Sequence, residues 1–377
     1  MTRWRREAML MGCLLSAMGV LPSPAQCPPL RVARAIIAAQ QRIVSPRGIQ
    51  QNLLLPVDGT KQWISIAGRD RRNPILLVLH GGPGSPVMPV AWTFQSPWED
   101  YFTVVEWAQR GTGKTYEANS KARMAPGMTI AGMTHDAAKV VEYLRTRFHK
   151  KKIFILGISW GTVLGVRLAQ RHPNWFYAYI GAGQVVNERR GEKIAYEYAV
   201  HAAEARGNAK AIRELRAIAP YPGKTLTLAR VSVLDKWQMR FGALFYGRTH
   251  FYWYGRSWEL SPLYRSAEIE ALAEGSEFSL HRLLGPLLRV NFDHVTHFRC
   301  PVIEFVGAHD YTTPASLTIA WFKRLHAPAK RLVIFADSAH MIMQEQPGRF
   351  LVHLVEDALP YAVKAGDAAP AEKEIVG

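Results

Sequence analysis

Cysteine is scarce: three residues in 377, and no two of them spaced C-x-x-C. That excludes a disulfide-dense scaffold and removes the usual ligand spacing of a structural zinc site. Long apolar runs are also missing. The longest N-terminal one, residues 8–21, falls short of the roughly 20 residues a membrane-spanning helix needs. No internal repeat or low-complexity tract is present, which excludes a solenoid. Acidic residues are few, 30 against 47 Lys and Arg, so the formal charge is +17. Such a balance suits nucleic acid or an anionic surface when the cations gather in one stripe. Here they are scattered and no nucleic-acid module signature occurs, so no nucleic-acid partner is expected.

Within the chain, Arg3, Arg5 and Arg6 precede the apolar residues 8–21, and Ser23-Pro24-Ala25 offers a small-x-small cleavage site. That is the layout of a signal peptide, so the protein is expected to be exported to the periplasm or the cell exterior. An uncleaved N-terminal membrane anchor is the alternative. Loss of residues 1–25 removes three Arg and one Glu and leaves a charge of +15, with no stable membrane span. Cys27 and Cys300 then remain as one conceivable pair. Hydrophobic content of 48% supports a sizeable core.

Strand and helix patterns alternate along most of the chain. Residues 61–67 alternate as a strand, and residues 75–79, 102–107, 152–156 and 177–181 read as buried strands. Between them, a helix capped by Thr134 carries Val140, Val141, Leu144 and Phe148 at helical spacing. Such alternation predicts an α/β fold with a mostly parallel sheet covered on both faces. From about residue 184 to 298 the pattern becomes helical, with helices expected over 193–205, 209–218 and 226–241. Strands return at 302–306 and 331–335, with helices at 314–325 and 347–359. The expected division is a signal peptide (1–25), a core (26–183), a helical cap (184–298), the rest of the core (299–361) and a flexible tail (362–377). A cap inserted there roofs the carboxyl ends of the strands, where ligands bind in such sheets.

Gly157-Ile158-Ser159-Trp160-Gly161 lies between an apolar strand and a helix. A serine on that tight turn is held above the sheet, ready to attack a carbonyl carbon. It needs a base, and the base needs a carboxylate to set its tautomer and stabilise its cation. Asp310 follows the strand at 302–306, and His340 follows the strand at 331–335. The order Ser159, Asp310, His340 is the one this topology demands. Asp337 is a competing acid but sits three residues before His340, where it shapes the loop. His309 adjoins Asp310 and is not the expected base. Oxyanion donors are expected from the amide of Trp160 and from Gly82 in His80-Gly81-Gly82-Pro83-Gly84, a glycine-rich loop directly after residues 75–79. His294 and His297 read as helix-surface residues rather than metal ligands. Gly111-Thr112-Gly113-Lys114-Thr115 imitates a phosphate loop, but Ala108 stands where its first glycine belongs.

Together these motifs resemble the α/β-hydrolase superfamily, in particular its proline iminopeptidase (prolyl aminopeptidase) branch. The resemblance rests on His80-Gly81-Gly82-Pro83-Gly84, Gln109-Arg110-Gly111-x-Gly113 and Ser159-Trp160-Gly161. His340 with Glu345-x-Pro347 fits the superfamily more broadly. It spans residues 70–181 and 300–360. It implies no metal or organic cofactor and a small-molecule or short-peptide substrate, cleaved behind an N-terminal residue, often proline. The family's acid before Gln-Arg-Gly is replaced by Ala108. The family's cap also supplies carboxylates to the substrate amine. Glu188 and Glu192 are the candidates here, with solvated helix faces as the competing reading. Phe251, Tyr252, Trp253 and Tyr254 either line an apolar pocket or pack the lid. The expectation is a serine hydrolase of aminopeptidase type. A carboxylesterase for small apolar esters is the alternative, and a catalytically silent binding protein a further one.

Overall fold

The computed structural model describes residues 29–250 and 252–370. The expected signal segment, Cys27 and its pairing with Cys300, Phe251 and the tail beyond residue 370 lie outside the described residues.

Eight strands form one sheet: β1 (Ile49–Val57), β2 (Thr60–Gly68), β3 (Ile75–Leu79), β4 (Thr103–Trp107), β5 (Ile153–Ile158), β6 (Phe176–Ala182), β7 (Val302–Gly307) and β8 (Lys330–Phe335). Their spatial order is β1-β2-β4-β3-β5-β6-β7-β8. Strands β3 to β8 are mutually parallel, while β1 and β2 pair antiparallel at one edge. The inner parallel strands β3 and β5 are apolar throughout because both faces are covered, whereas Glu106 and Glu304 interrupt β4 and β7 and the edge strand β8 is partly exposed. Leu77 and Leu79 of β3 point into one core with the helices Ile130–Arg147 and Trp160–Arg171. Leu76 and Val78 point into the opposite core, with Trp98, Phe350 and Leu354.

Three features differ from the sequence expectation. Strand β1 was not anticipated, since Gln50, Gln51, Asn52 and Pro56 weaken its pattern; an edge strand tolerates all four. The helix expected to start at Thr134 is Ile130–Arg147. Thr129 caps it by accepting from Gly132 N–H, and Thr134 sits one turn inside, donating to the Ile130 carbonyl at 2.7 Å. The tail is anchored beyond residue 361. The Tyr177 hydroxyl donates to Asp367 at 3.0 Å, Lys150 pairs with the same carboxylate, and Ala369 N–H donates to Asn73.

Between β6 and β7 lie five helices of eight residues or more: Glu188–Ala205, Ala209–Ala217, Leu228–Arg240, Tyr252–Glu259 and Ser266–Leu287. The first begins at Glu188 rather than 193 because Asn187 caps it. Ala199, Leu215, Leu234 and Trp237 give these helices a core of their own. Ser266–Leu287 was not read from the sequence, since Gly275, Gly285 and Pro286 disguise it. Packing restores it: Phe278, Leu283 and Leu287 reach the main core, and a Cβ on Gly275 would lie only 2.9 Å from the Gly111 carbonyl. His294 and His297 are not on a helix surface, as expected above, but in the irregular segment before β7, where His297 stacks on His326. Among the described residues no cluster suited to a metal ion exists.

Candidate active site

Every element of the site comes from a carboxyl end of the parallel strands. Ser159 ends β5 and caps the helix Trp160–Arg171 with φ 52° and ψ −122°. A non-glycine residue there stores about 1–3 kcal/mol of backbone strain. Packing enforces it. A Cβ on Gly157 would sit 2.8 Å from Thr162 Cα, and one on Gly161 would collide with the Leu79 carbonyl. The turn is pinned by Ser159 N–H donating to the Ala182 carbonyl at 2.9 Å and by Thr162, whose amide and hydroxyl both donate to the Ser159 carbonyl.

Asp310 follows β7 and is buried. Its Oδ1 accepts from the amides of Thr312 and Thr313 at 2.9 and 2.8 Å, and Oδ2 from the Thr313 hydroxyl at 2.8 Å. The same Oδ2 receives His340 Nδ1 at 2.8 Å. Burial by itself would lower the His340 pKa; the Asp310 charge and hydrogen bond, with the charge of Glu345 behind them, outweigh it and raise the pKa above the usual imidazole value. Gly183, just past β6, is pressed against this ring. With φ 66°, a Cβ there would lie 2.8 Å from His340 Cε1. Asp337 and His309 stay outside this arrangement. His309 stacks on Tyr246, and no bond joins Asp337 to His340.

The loop after β3 lies against Ser159: a Cβ on Gly81 would be 3.1 Å from Ser159 Cβ. His80 accepts from Gln109 N–H through Nε2 at 3.2 Å, so its Nδ1 carries the proton and donates to the Gly81 carbonyl at 2.9 Å. Burial brings its pKa down to about 4, so the ring stays neutral. Gln109 closes the network, donating to the His80 carbonyl at 3.0 Å and accepting from Trp160 Nε1 at 2.9 Å. Trp160, the residue after Ser159, is thereby braced to the glycine loop. Gly84 packs against Ser276 and Ser279 of the helix Ser266–Leu287. Arg110 forks onto Asp136 at 2.7 and 2.9 Å, tying its loop to the helix Ile130–Arg147. The apparent phosphate loop is spoken for: Lys114 pairs with Glu268 at 2.9 Å and the Thr115 hydroxyl donates to the Ala108 carbonyl.

A cavity of about 290 Å³ opens over Ser159 and His340. Gly81, Gly82 and Val87 form part of its floor, and Met239, Leu244 and Tyr254 are apolar cap residues facing it. Of the aromatic run, then, Tyr254 lines the pocket, Tyr252 is 76% exposed, and Trp253 packs edge-on against Phe245. Asp235 also lines the cavity, and the sequence reading missed it. Asp235 is exposed through the open cavity, and the protein packed around it, and then the charge of Glu192, push its carboxyl up to about 7. Glu192 accepts from the Tyr221 hydroxyl at 2.5 Å. Burial, then the Glu192 charge, raises Glu188 well above the carboxylate range. Among the described residues no cation pairs with Glu188, Glu192 or Asp235. Glu188 borders a small hollow with Thr312, a residue that also lines the main cavity. Both glutamates are half-buried, and neither lines the main cavity. The helix Leu228–Arg240 was anticipated as an element, but no motif marked Asp235 within it.

A sequence profile of the alpha/beta hydrolase family matches residues 75–353. A probable aminopeptidase of Bacillus subtilis, YbaC, is 32% identical over 307 residues, 78% of this chain and 92% of that protein. Among solved structures, proline iminopeptidase from Mycobacterium smegmatis superposes with a TM-score of 0.58 at 18% identity, covering 84% of this chain and all of that one. An esterase from Exiguobacterium antarcticum gives 0.53 at 17% identity, over 82% and 99% of the two chains. The match over both halves of the sheet, including the elbow and the loops after β7 and β8, means that this chain belongs to the alpha/beta hydrolase family and is a hydrolase.

Proposed function

We propose that the protein is a serine aminopeptidase that removes an N-terminal residue from small peptides through an acyl-enzyme. His340 holds its Nδ1 proton toward Asp310, so Nε2 takes the Ser159 proton as Oγ attacks the carbonyl carbon. The amides of Trp160 and Gly82 receive the oxyanion, each donor lowering the barrier by about 3–4 kcal/mol. His340 passes its proton to the leaving amine, and the serine ester remains. Water, deprotonated by the same nitrogen, releases the amino acid and returns the proton to Ser159.

One observation carries the peptidase reading. Asp235, with no cation paired to it among the described residues, shares a cavity with Ser159 and His340. An ammonium held there, with Glu188 and Glu192 behind, would present the first peptide bond to Ser159. A volume of about 290 Å³ with apolar cap walls suits one residue and part of the next. The Bacillus relative, a probable aminopeptidase, points the same way. The apolar walls and the Exiguobacterium neighbour favour a second reading, an esterase for small apolar esters. The deciding experiment compares aminoacyl anilides, including the prolyl one, with their N-blocked forms and with short-chain esters. Loss of turnover on N-blocking supports the amine subsite; preference for esters rejects the peptidase reading. We also propose that residues 1–25 export the enzyme. N-terminal sequencing of the protein recovered from the periplasm or medium, expected to begin near Gln26, tests this.

A further inference from the structure

We infer that Glu345 is a positioning residue that ties the cap to the catalytic base, so that the cap's placement governs how His340 works. The inference rests on the Ser159, His340 and Asp310 roles proposed above. The two carboxylate oxygens of Glu345 are divided between two parts of the molecule. Oε2 accepts from the amide of Ala339, the residue before the base, at 2.9 Å. Oε1 accepts from the amide of Tyr246, in the cap, at 2.5 Å. A second tie runs alongside, from Met341 N–H, after the base, to the Leu244 carbonyl at 3.1 Å.

The acid is bracketed in the same way. The Tyr246 ring stacks on His309, before Asp310, at 3.9 Å. Beyond Asp310, Gln238 donates to the Tyr311 carbonyl at 3.0 Å, and the Tyr198 ring stacks on Tyr311 at 3.8 Å. Both neighbours of the acid and both neighbours of the base are thus held from the cap, directly or through Glu345. Gln238 itself lines the cavity, three residues after Asp235. A ligand that draws the helix Leu228–Arg240 inward therefore pulls on the loop of Asp310, while Glu345 transmits cap position to the loop of His340.

Glu345 also acts by charge. The ionised groups facing His340 are Asp310 and Glu345; those facing Glu345 are His340 and, more weakly, Arg248. A negative Glu345 favours the imidazolium, so it keeps the working histidine more basic than Asp310 alone would. A carboxylate that merely satisfied two backbone amides would leave the pH dependence unmoved when replaced by a neutral isostere.

The test is the rate of labelling by a fluorophosphonate as a function of pH, since that reaction needs Ser159 and His340 but no particular substrate. Melting curves define the temperature at which each variant is folded. Glu345→Gln should label roughly tenfold more slowly, the effect of a slightly misplaced base, with its acid limb displaced about half a pH unit downward by the lost charge. Glu345→Asp keeps the charge but is too short to span both amides. It should label slowly with the wild-type limb, and it stands in if the Gln variant melts early. Tyr246→Pro removes the cap-side N–H together with the ring that stacks on His309, whereas Tyr246→Ala removes the ring alone; the extra loss of Pro over Ala should vanish when Glu345→Gln is also present. Wild-type rate and limb in Glu345→Gln, or an extra loss of Pro over Ala that persists beside Glu345→Gln, overturn the inference. Wild-type protein that fails to label overturns the triad assignment itself and this inference with it.

Discussion

The loops at the carboxyl end of the sheet and the cavity side of the cap treat their carboxylates in opposite ways. At the sheet, Asp310 has both oxygens satisfied by two amides, a hydroxyl and an imidazole, and Asp136 is held by Arg110 and Gln62. These acids are locked in place, which is what a group that orients others requires. In the cap, Glu188 and Asp235 lack cationic partners among the described residues, and the protein packed around them raises the pKa of both. A carboxylate partly desolvated without a counter-charge is unfavourable, and a bound ammonium would relieve that. On the proposed function, one region would carry out chemistry on a carbonyl and the other would choose among molecules that carry one.

That division makes predictions that differ in kind. Ser159→Ala should remove turnover of anilides and esters alike, on the order of 10⁶-fold in kcat, the scale on which a serine nucleophile matters. Fluorophosphonate labelling must vanish with it; equal labelling of variant and wild type would end the assignment. Gly183→Ala should come next. Its methyl would press on the His340 ring from 2.8 Å, and a displacement of the base near 1 Å costs about 10²-fold in kcat for every substrate class. Asp235→Asn should act on the cap alone. KM for free-amine substrates should rise roughly 10- to 100-fold, as for loss of a charged hydrogen bond, while N-blocked substrates and esters are unaffected. An equal loss on all three classes would erase the distinction between the two regions. On the same grounds, raising the pH through about 7 ionises Asp235, so KM for free-amine substrates should fall across that interval as long as the amine stays protonated.

The smallest effect concerns stability. Glu106 in β4 is buried, and loss of hydration pushes its carboxyl up to about 8. Its folded pKa lies above its unfolded value, so between about 4.5 and 8 the unfolded chain has released a proton that the folded one still holds, and stability falls as pH rises. Glu106→Gln should flatten that decline. The melting temperatures of variant and wild type, compared at pH 5 and pH 8, should differ more at pH 8. A constant difference would place the titration elsewhere.

Much of the sheet was legible because its demands are local. Ile75–Leu79 and the strand beginning at Val302 read directly, since a parallel strand buried on both faces must be a short apolar run. The elbow was equally plain, because a strained serine between crowded backbones leaves room only for glycine on either side. The edge strand Ile49–Val57 escaped because an edge tolerates polar residues and Pro56. Thr134 was mistaken for a cap because Thr129, one turn earlier, has the same chemistry. In the cap the reading was weakest. Glu188 and Glu192 were singled out, yet a helix face alone does not say whether it meets water or a cavity. Asp235 carried no motif whatever.

The sequence by itself determined the nucleophile turn, the order of Ser159, Asp310 and His340, and the glycine loop that meets the elbow. Each of these is dictated by backbone sterics or by strand order within a few residues. Only the tertiary structure brought Asp235 into the cavity of Ser159 and placed the Glu345 carboxylate between Ala339 and Tyr246. Those contacts join segments roughly a hundred residues apart, and they depend on how five helices pack rather than on any local pattern.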